Sequence, residues 1–167
     1  MTSATLPAFV SVRNGPFAGV SKPVVRRWAQ RMLRRLDLSR AELSVALTDD
    51  REIHELNRVF RRRNRPTDVL AFAMREGEPC GSSGARQPGA CEMLGDIVVS
   101  IETARRQAAR RRRSIESELR MLLAHGLLHL VGYDHRTGEE ERVMKAKTRE
   151  LCRAAVDEAV RRPRAPR

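Results

Sequence analysis

The chain has 167 residues, a length that fits one domain around one core. No stretch approaches the ~20 apolar residues of a membrane span and the first ten residues lack the basic start of a signal peptide, so we expect no membrane partner. The formal net charge is +12 and is supplied mostly by arginine. Guanidinium groups bind phosphate through paired hydrogen bonds, so this composition favours a nucleic-acid partner. A GC-rich genome is the alternative explanation for isolated arginines.

The first half of the chain alternates strand-like and helix-like patterns. Alternate apolar residues at Leu43, Val45 and Leu47 indicate a strand with one buried face. Apolar residues three to four apart, as at Ile53 and Leu56, indicate a helix. The predicted elements are a strand over 8–13, a helix over 21–36, a strand over 42–48, a helix from Asp49 or Asp50 to about residue 60, a basic loop over 61–65 and a strand over 68–74.

The second half begins with a segment rich in Gly, Pro, Ser and Cys that has no periodicity. We interpret residues 75–92 as a long surface loop, either a flexible insertion or a lid. Three cysteines without a CxxC pair indicate free thiols in a reducing cytoplasm, with a Cys80–Cys91 disulfide as the weaker alternative. The predicted elements that follow are a strand over 94–99, a basic helix after Ser100, a long apolar helix from Ser114 to a stop at Gly132, a helix over about 139–160 and a basic disordered tail over 161–167.

The order of these elements predicts an α+β fold. In this fold a small mixed sheet of four strands is covered by about five helices. No internal repeat divides the chain, and we expect residues 1–160 to form a single domain.

Three of the four histidines lie within residues 125–135. His125 and His129 are four residues apart in the long apolar helix, so both imidazoles project from one helical face, and His135 follows just past Gly132. A lone histidine on an apolar helix is usually a hydrogen-bonded core residue, but three at this spacing suit a metal. Three nitrogen ligands with one open position are typical of catalytic zinc, whereas structural zinc takes four protein ligands. The run therefore predicts one zinc ion per chain, on a central helix and the segment after it.

The residue after the first histidine distinguishes this run from zinc peptidases, which place a glutamate there as general base. Here it is Gly126, which makes peptide hydrolysis a weak alternative. Glycine costs a helix interior about 1 kcal/mol relative to alanine, so we expect Gly126 to make room for close backbone packing or for substrate. Asp134 is a candidate catalytic or histidine-orienting carboxylate, with a simple turn residue as the equal alternative.

Two further segments, together with the histidine run, indicate a family resemblance. The cations after Phe60 precede a strand, which alone is typical of a solvated loop. The sequence resembles the YbeY family of metal-dependent endoribonucleases, which act in maturation of bacterial ribosomal RNA. The family motif His-Gly-x-Leu-His-Leu-x-Gly-Tyr-Asp-His is matched at every fixed position by residues 125–135. Two other family segments are matched by Phe60-Arg61 with Pro66 to Phe72, and by Leu94 to Val99.

The resemblance covers roughly residues 40–152 and implies both ligands and a functional arginine. It implies zinc held by His125, His129 and His135, with Arg61 facing the site. Ala71 and Ala73 replace a serine and a proline of the family. These differences do not affect the metal ligands, but the resemblance does not define the residues at the rim of the cleft. The candidate RNA-binding residues are Arg61, Arg62, Arg63 and Arg65, and a basic helix adds Arg105, Arg106 and Arg110 to Arg113.

We therefore expect a single-strand-specific, zinc-dependent endoribonuclease that acts in ribosomal RNA processing, at the 3′ end of the small-subunit RNA, and in ribosome quality control. Its expected partners are precursor ribosomal RNA and the small ribosomal subunit with its proteins. The competing function is a non-catalytic assembly factor that binds the small subunit and uses zinc for stability alone. The nucleophile is either a water held by the metal or the RNA's own 2′-hydroxyl.

Overall fold

A computed structural model of the protein describes residues 8–74 and 92–156, which form a four-stranded mixed sheet and five helices. In chain order the elements are β1 (Ala8–Val12), α1 (Lys22–Arg35), β2 (Ala41–Thr48), α2 (Asp50–Arg61), β3 (Val69–Ala73), β4 (Glu92–Ser100), α3 (Ile101–Arg110), α4 (Ile115–Leu130) and α5 (Gly138–Val156). The predicted α+β fold is confirmed.

The strand order in the sheet is β1-β2-β4-β3. β1, β2 and β4 are parallel, and β3 pairs with β4 in the antiparallel sense. A bulge lies where Glu42 pairs with Met93 and the next residue of β2 pairs with Gly95. At Gly95 φ is +139°, and an added Cβ would lie 2.0 Å from the carbonyl oxygen of Phe72, so only glycine fits there.

The two faces of the sheet carry different layers. On β2 the alternate residues Leu43, Val45 and Leu47 face the main core, which α1, α4 and α5 complete. The other face is smaller, with Ile53 of α2 packed among buried side chains of the strands, such as Val98. Since side chains alternate along a strand, one sheet buries two separate apolar layers.

Helix starts follow the predicted capping residues. The Asp49 side chain accepts a hydrogen bond from the backbone N–H of Glu52 (2.9 Å), which selects it over Asp50 as the N-cap of α2. Ser100 and Ser114 cap α3 and α4 in the same way. The Asp50 carboxylate instead accepts hydrogen bonds from α3 and its cap, and so ties α2 to α3.

Several predicted segments lie outside the described residues. These are the loop after residue 74, up to the start of β4 at Glu92, with Cys80 and Cys91, and residues 157–167. The single domain over 1–160 therefore stays a prediction. Within the described ranges no helix is both long and apolar enough to cross a membrane.

Candidate metal centre

The end of α4 positions the three histidines. α4 presents His125 and His129 one turn apart and ends in a tight reversal at Gly132, where φ is +97°. The N–H of Gly132 donates to the carbonyl of His129 (3.1 Å), and that of Tyr133 donates to the carbonyl of Leu128 (3.0 Å). This pair of bonds defines a Schellman motif, which favours glycine at its left-handed position. The reversal turns the chain so that His135 comes back toward α4.

The three imidazoles converge on one point. The Nε2 atoms of His125 and His129 are 3.1 Å apart, and one ligand atom from each of the three histidines lies within 4.8 Å of the others. The ring centroid of His135 is 5.8 Å from that of His125 and 5.3 Å from that of His129. The structure thus brings together all three residues that the spacing selected, whereas His54 lies elsewhere and contacts Asn64.

The surroundings of the histidines favour their neutral forms. Burial lowers the pKa of both His125 and His129 below the ordinary histidine value, and the neighbouring imidazoles lower it further. Neutral imidazoles keep a nitrogen lone pair free for a metal.

The donor set fits a divalent transition metal. Two nitrogen ligands of a tetrahedral ion, each about 2.0–2.1 Å from it, are about 3.3 Å apart, close to the separation of the Nε2 atoms of His125 and His129. Imidazole nitrogens suit zinc, copper, nickel or iron, whereas magnesium and calcium take oxygen ligands. The three histidines can therefore hold a metal ion, with His135 exposed on the solvent side.

A cleft of about 610 Å³ opens beside the histidines. Its charged and histidine lining residues are Arg61, Arg63, Arg65, His129, Asp134 and Arg136. Arg62, a predicted RNA-binding residue, is not among them; it is the left-handed C-cap of α2, with φ of 55°. Four arginines and a candidate metal site in one cleft suit a polyanionic ligand.

Arg61 is held over the edge of the sheet. Its Nη2 donates to the carbonyl oxygen of Ala71 (2.7 Å), and its guanidinium carbon is 5.6 Å from the centroid of the Phe72 ring. These contacts with β3 leave most of the exposed guanidinium group available to a ligand. Arg61 and His129 line the same cleft, and the functional role that the resemblance implies for Arg61 stays a prediction.

The basic loop after Arg61 is fixed from beneath by Asn57, a residue that the sequence analysis missed. Asn57 is 3% exposed, and its Nδ2 donates to the carbonyl oxygen of Arg65 (2.7 Å). The N–H of Arg63 donates to the Asn57 carbonyl (3.2 Å). The available signal was an asparagine four residues after Ile53, on the same helical face as this apolar residue and just before a basic loop.

Asp134 makes the hydrogen bonds of a turn residue. One carboxylate oxygen accepts from the backbone N–H of His135 (2.8 Å), and the other pairs with Arg136 Nε at 2.6 Å. The hydrogen bond from His135 lowers the pKa of Asp134, as does the charge of Arg136. Arg136, which the sequence analysis also missed although it directly follows the third histidine, lines the cleft beside it. A catalytic role for Asp134 stays a prediction.

Gly126 faces the sheet. It is buried, and an added Cβ would lie 3.0 Å from Ile97 Cγ2 and 3.3 Å from Val69 Cγ2. Of the two roles expected for this residue, the structure supports close packing of α4 on β3 and β4. A side chain at this position would enter the core, so the structure does not support the alternative expectation that Gly126 makes room for substrate.

Part of the basic helix serves the fold. Arg105 donates to the carbonyl oxygen of Ala18, and Arg106 pairs with Asp50 at 2.6 Å. Arg111 pairs with Glu118, a fully buried carboxylate. These three arginines are therefore committed to contacts that hold α3 and the start of α4 in place.

Comparisons with known proteins identify the family of the chain. A family model described as Endoribonuclease YbeY matches residues 17–155. Endoribonuclease YbeY of Aquifex aeolicus is 44% identical over 132 residues, which cover 79% of this chain and 79% of that protein. Endoribonuclease YbeY of Geobacter metallireducens is 45% identical over 134 residues, covering 79% and 85%. The solution structure of TM1509 from Thermotoga maritima has a TM-score of 0.58 at 24% identity, covers 93% of this chain and 94% of that one, and shows the fold alone.

Proposed function

The chain belongs to the YbeY family of endoribonucleases, and from this membership we propose that it is a zinc-dependent endoribonuclease specific for single-stranded RNA. The observation that carries the proposal is the convergence of three histidines beside a cleft lined by arginines. The histidines supply a metal site with one face exposed, and the arginines supply sites for phosphate.

The histidines and Arg61 would have different roles in the reaction. His125, His129 and His135 would hold the ion, which when bound acts as a Lewis acid on a phosphoryl oxygen and lowers the pKa of water. Arg61, which lines the same cleft as His129, would bind the scissile phosphate and stabilise the negative charge that develops on its oxygens.

The arginines at the rim of the cleft, Arg63 and Arg65, would bind the RNA backbone without contacting its bases. Arg63 and Arg65 extend along the loop that Asn57 fixes, and they present cations to successive phosphates. Contacts of this kind position a backbone and carry no sequence information. We therefore assign affinity, and no base preference, to this loop.

The biological substrate follows from the family. We propose that the protein acts in the cytoplasm on precursor ribosomal RNA, at the 3′ end of the small-subunit RNA, and in ribosome quality control. The small ribosomal subunit and its proteins are the proposed partners. The family name of the relatives and the cationic cleft support an RNA substrate, and the family's role in ribosomal RNA maturation supports this choice of RNA.

An RNA-cleavage assay with matched variants tests the proposal. Metal-loaded protein should cleave a single-stranded RNA, His129→Ala should lose both metal and cleavage, and His54→Ala should keep the metal. Arg61→Ala should lose cleavage by about 10²-fold or more while keeping its metal and melting temperature. The side chain is exposed, and its contacts are one hydrogen bond to Ala71 and a ring contact with Phe72. Arg58→Ala, which removes an exposed arginine of the same helix, is the control.

Two outcomes would redirect the proposal. Full cleavage by Arg61→Ala would remove this arginine from the reaction. If instead the metal-loaded protein bound the small subunit but cleaved no RNA, the assembly factor that uses zinc for stability would be the better description.

A further inference from the structure

A second groove lined by arginines lies between α4 and α5, apart from the cleft. Its volume is about 420 Å³, and the described part of the chain contributes nine lining residues, none of them acidic. Its four cationic lining residues are Arg113, Arg120, Arg149 and Arg153. Cations gathered in one groove repel one another, and a bound anion relieves that repulsion.

Carboxylates of the described residues leave these cations largely uncompensated. Glu150 lines a neighbouring groove with Arg149 and Arg153, but its carboxylate is bonded to Arg35 (2.6 Å) and Lys147 (3.1 Å). Across residues 8–74 and 92–156, neither Arg113 nor Arg149 nor Arg153 has an ion-pair partner. Among the described residues, the positive charge of the groove is therefore left to attract an anionic ligand.

One side of the groove is formed by Arg120, which packs on a core tryptophan. The guanidinium carbon of Arg120 is 5.2 Å from the centroid of the Trp28 ring, and Trp28 is itself buried in the core. Burial raises the pKa of the Cys152 thiol, while Arg120 and Arg113 act in the opposite direction, so both cations approach the same half-buried sulfur. Stacking on a core aromatic residue restrains Arg120 before any ligand binds.

The groove and the histidines lie along the same side of α4. Ser117 and Met121 line the groove, and His125 follows Met121 by one further turn. At 1.5 Å per residue, His125 is about 12 Å along the helix axis from Ser117. A polynucleotide in the cleft therefore has only a short distance to cover before it reaches the groove.

We propose that this groove binds backbone phosphates of the RNA whose scissile bond lies in the histidine cleft. The inference rests on the proposed function and adds a second anchoring site, remote from the cleaved bond. Guanidinium groups on one strand's phosphates give affinity without base recognition. The groove would thus favour substrates that extend beyond the cleft.

Charge reversal with a matched control tests this site. Arg149→Glu with Arg153→Glu changes the charge of the groove but spares Arg120 and its contact with Trp28. Arg40→Glu with Arg51→Glu changes the net charge equally at exposed positions that line neither groove nor cleft. Each pair is made in the His129→Ala background for binding, and in the wild-type background for kinetics and melting temperature.

We expect the groove variant to bind a labelled single-stranded RNA about tenfold more weakly in fluorescence anisotropy. The slope of the logarithm of the association constant against the logarithm of the salt concentration should become flatter by about 1.4, because each of the two lost phosphate contacts accounts for about 0.7. In cleavage of the same RNA its KM should rise with little change in kcat, and the control pair should change neither constant by more than about twofold.

The groove site would be overturned if the two double variants bound RNA with equal affinity, whether unchanged or equally weakened. The proposed function would still stand in that case, provided that the wild-type protein cleaves RNA. A fall in kcat without a rise in KM would also overturn it. No cleavage by metal-loaded wild-type protein would refute the proposed function and, with it, this role of the groove.

Discussion

At the scale of single residues, the spacing of the three histidines predicted that their side chains meet, because helical periodicity and a short turn fix their geometry. The place of Arg61 beside them was implied by the family resemblance alone. The spacing did not predict which way Gly126 points, since that depends on how α4 docks on the sheet. Val69 and Ile97, which contact this glycine, are distant from it in sequence. Arg136 was missed for a similar reason, because its place in the cleft depends on the turn after α4.

Gly126→Ala should lower the free energy of unfolding by about 1 kcal/mol. Its Cβ would press on Ile97 Cγ2 at 3.0 Å, and overpacking of about 1–3 kcal/mol outweighs the gain in helix propensity of about 1 kcal/mol. Urea unfolding measures the effect. Gly138→Ala is the control, because an added Cβ there meets nothing within 4 Å. A Gly126→Ala protein as stable as wild type would show that α4 can move away from the sheet.

At the scale of elements, the strands and helices were predicted from local patterns and capping residues, and their ends were less well defined. β4 begins at Glu92, two residues before its predicted start, because the extra residues pair with Ala41 and Glu42 across the sheet. The bulge at Gly95 likewise depends on the approach of Phe72 from β3. Such pairings are long-range and leave little trace in local sequence.

The turn after α4 should link stability to metal affinity. Gly132→Ala forces a Cβ into the left-handed region, which costs about 1–2 kcal/mol, and loosens the reversal that returns His135. We expect weaker metal binding and a lower melting temperature. Gly19→Ala, at φ of +72° and remote from the histidines in sequence, should lower the melting temperature alone. Equal metal affinity in both variants would mean that the Schellman turn does not position His135.

The pair formed by Arg111 and Glu118 should anchor the start of α4. Glu118 is 0% exposed, so Arg111→Ala leaves a buried carboxylate without its cation, and we expect a loss of about 3 kcal/mol in the free energy of unfolding. Because Arg111 is about half-exposed, we expect the loss to lie at the lower end of the range of about 3–5 kcal/mol for broken buried ion pairs. Arg110→Ala, an exposed neighbour, serves as control in the same urea titration. A loss below about 1 kcal/mol would show that water replaces the guanidinium group.

At the scale of the whole molecule, the sequence predicted a cationic protein but not how its charge is distributed. Arg105, Arg106 and Arg111 hold α3 to its neighbours, whereas the cleft and the groove between α4 and α5 present their cations outward. Composition cannot separate these two groups, because the difference lies in which carboxylates and carbonyls the fold brings near. Phosphate binding is assigned to the outward group.

The central claim is that three histidines hold one metal ion on which RNA cleavage depends. Zinc titrated into metal-stripped protein, with cleavage of a single-stranded RNA recorded at each step, tests it most directly. We expect activity to rise from near zero and to reach a plateau at about one equivalent of zinc per chain, and the same titration of His125→Ala to give no rise. Cleavage that persists in the stripped protein, or that responds to zinc equally in His125→Ala, would contradict the account.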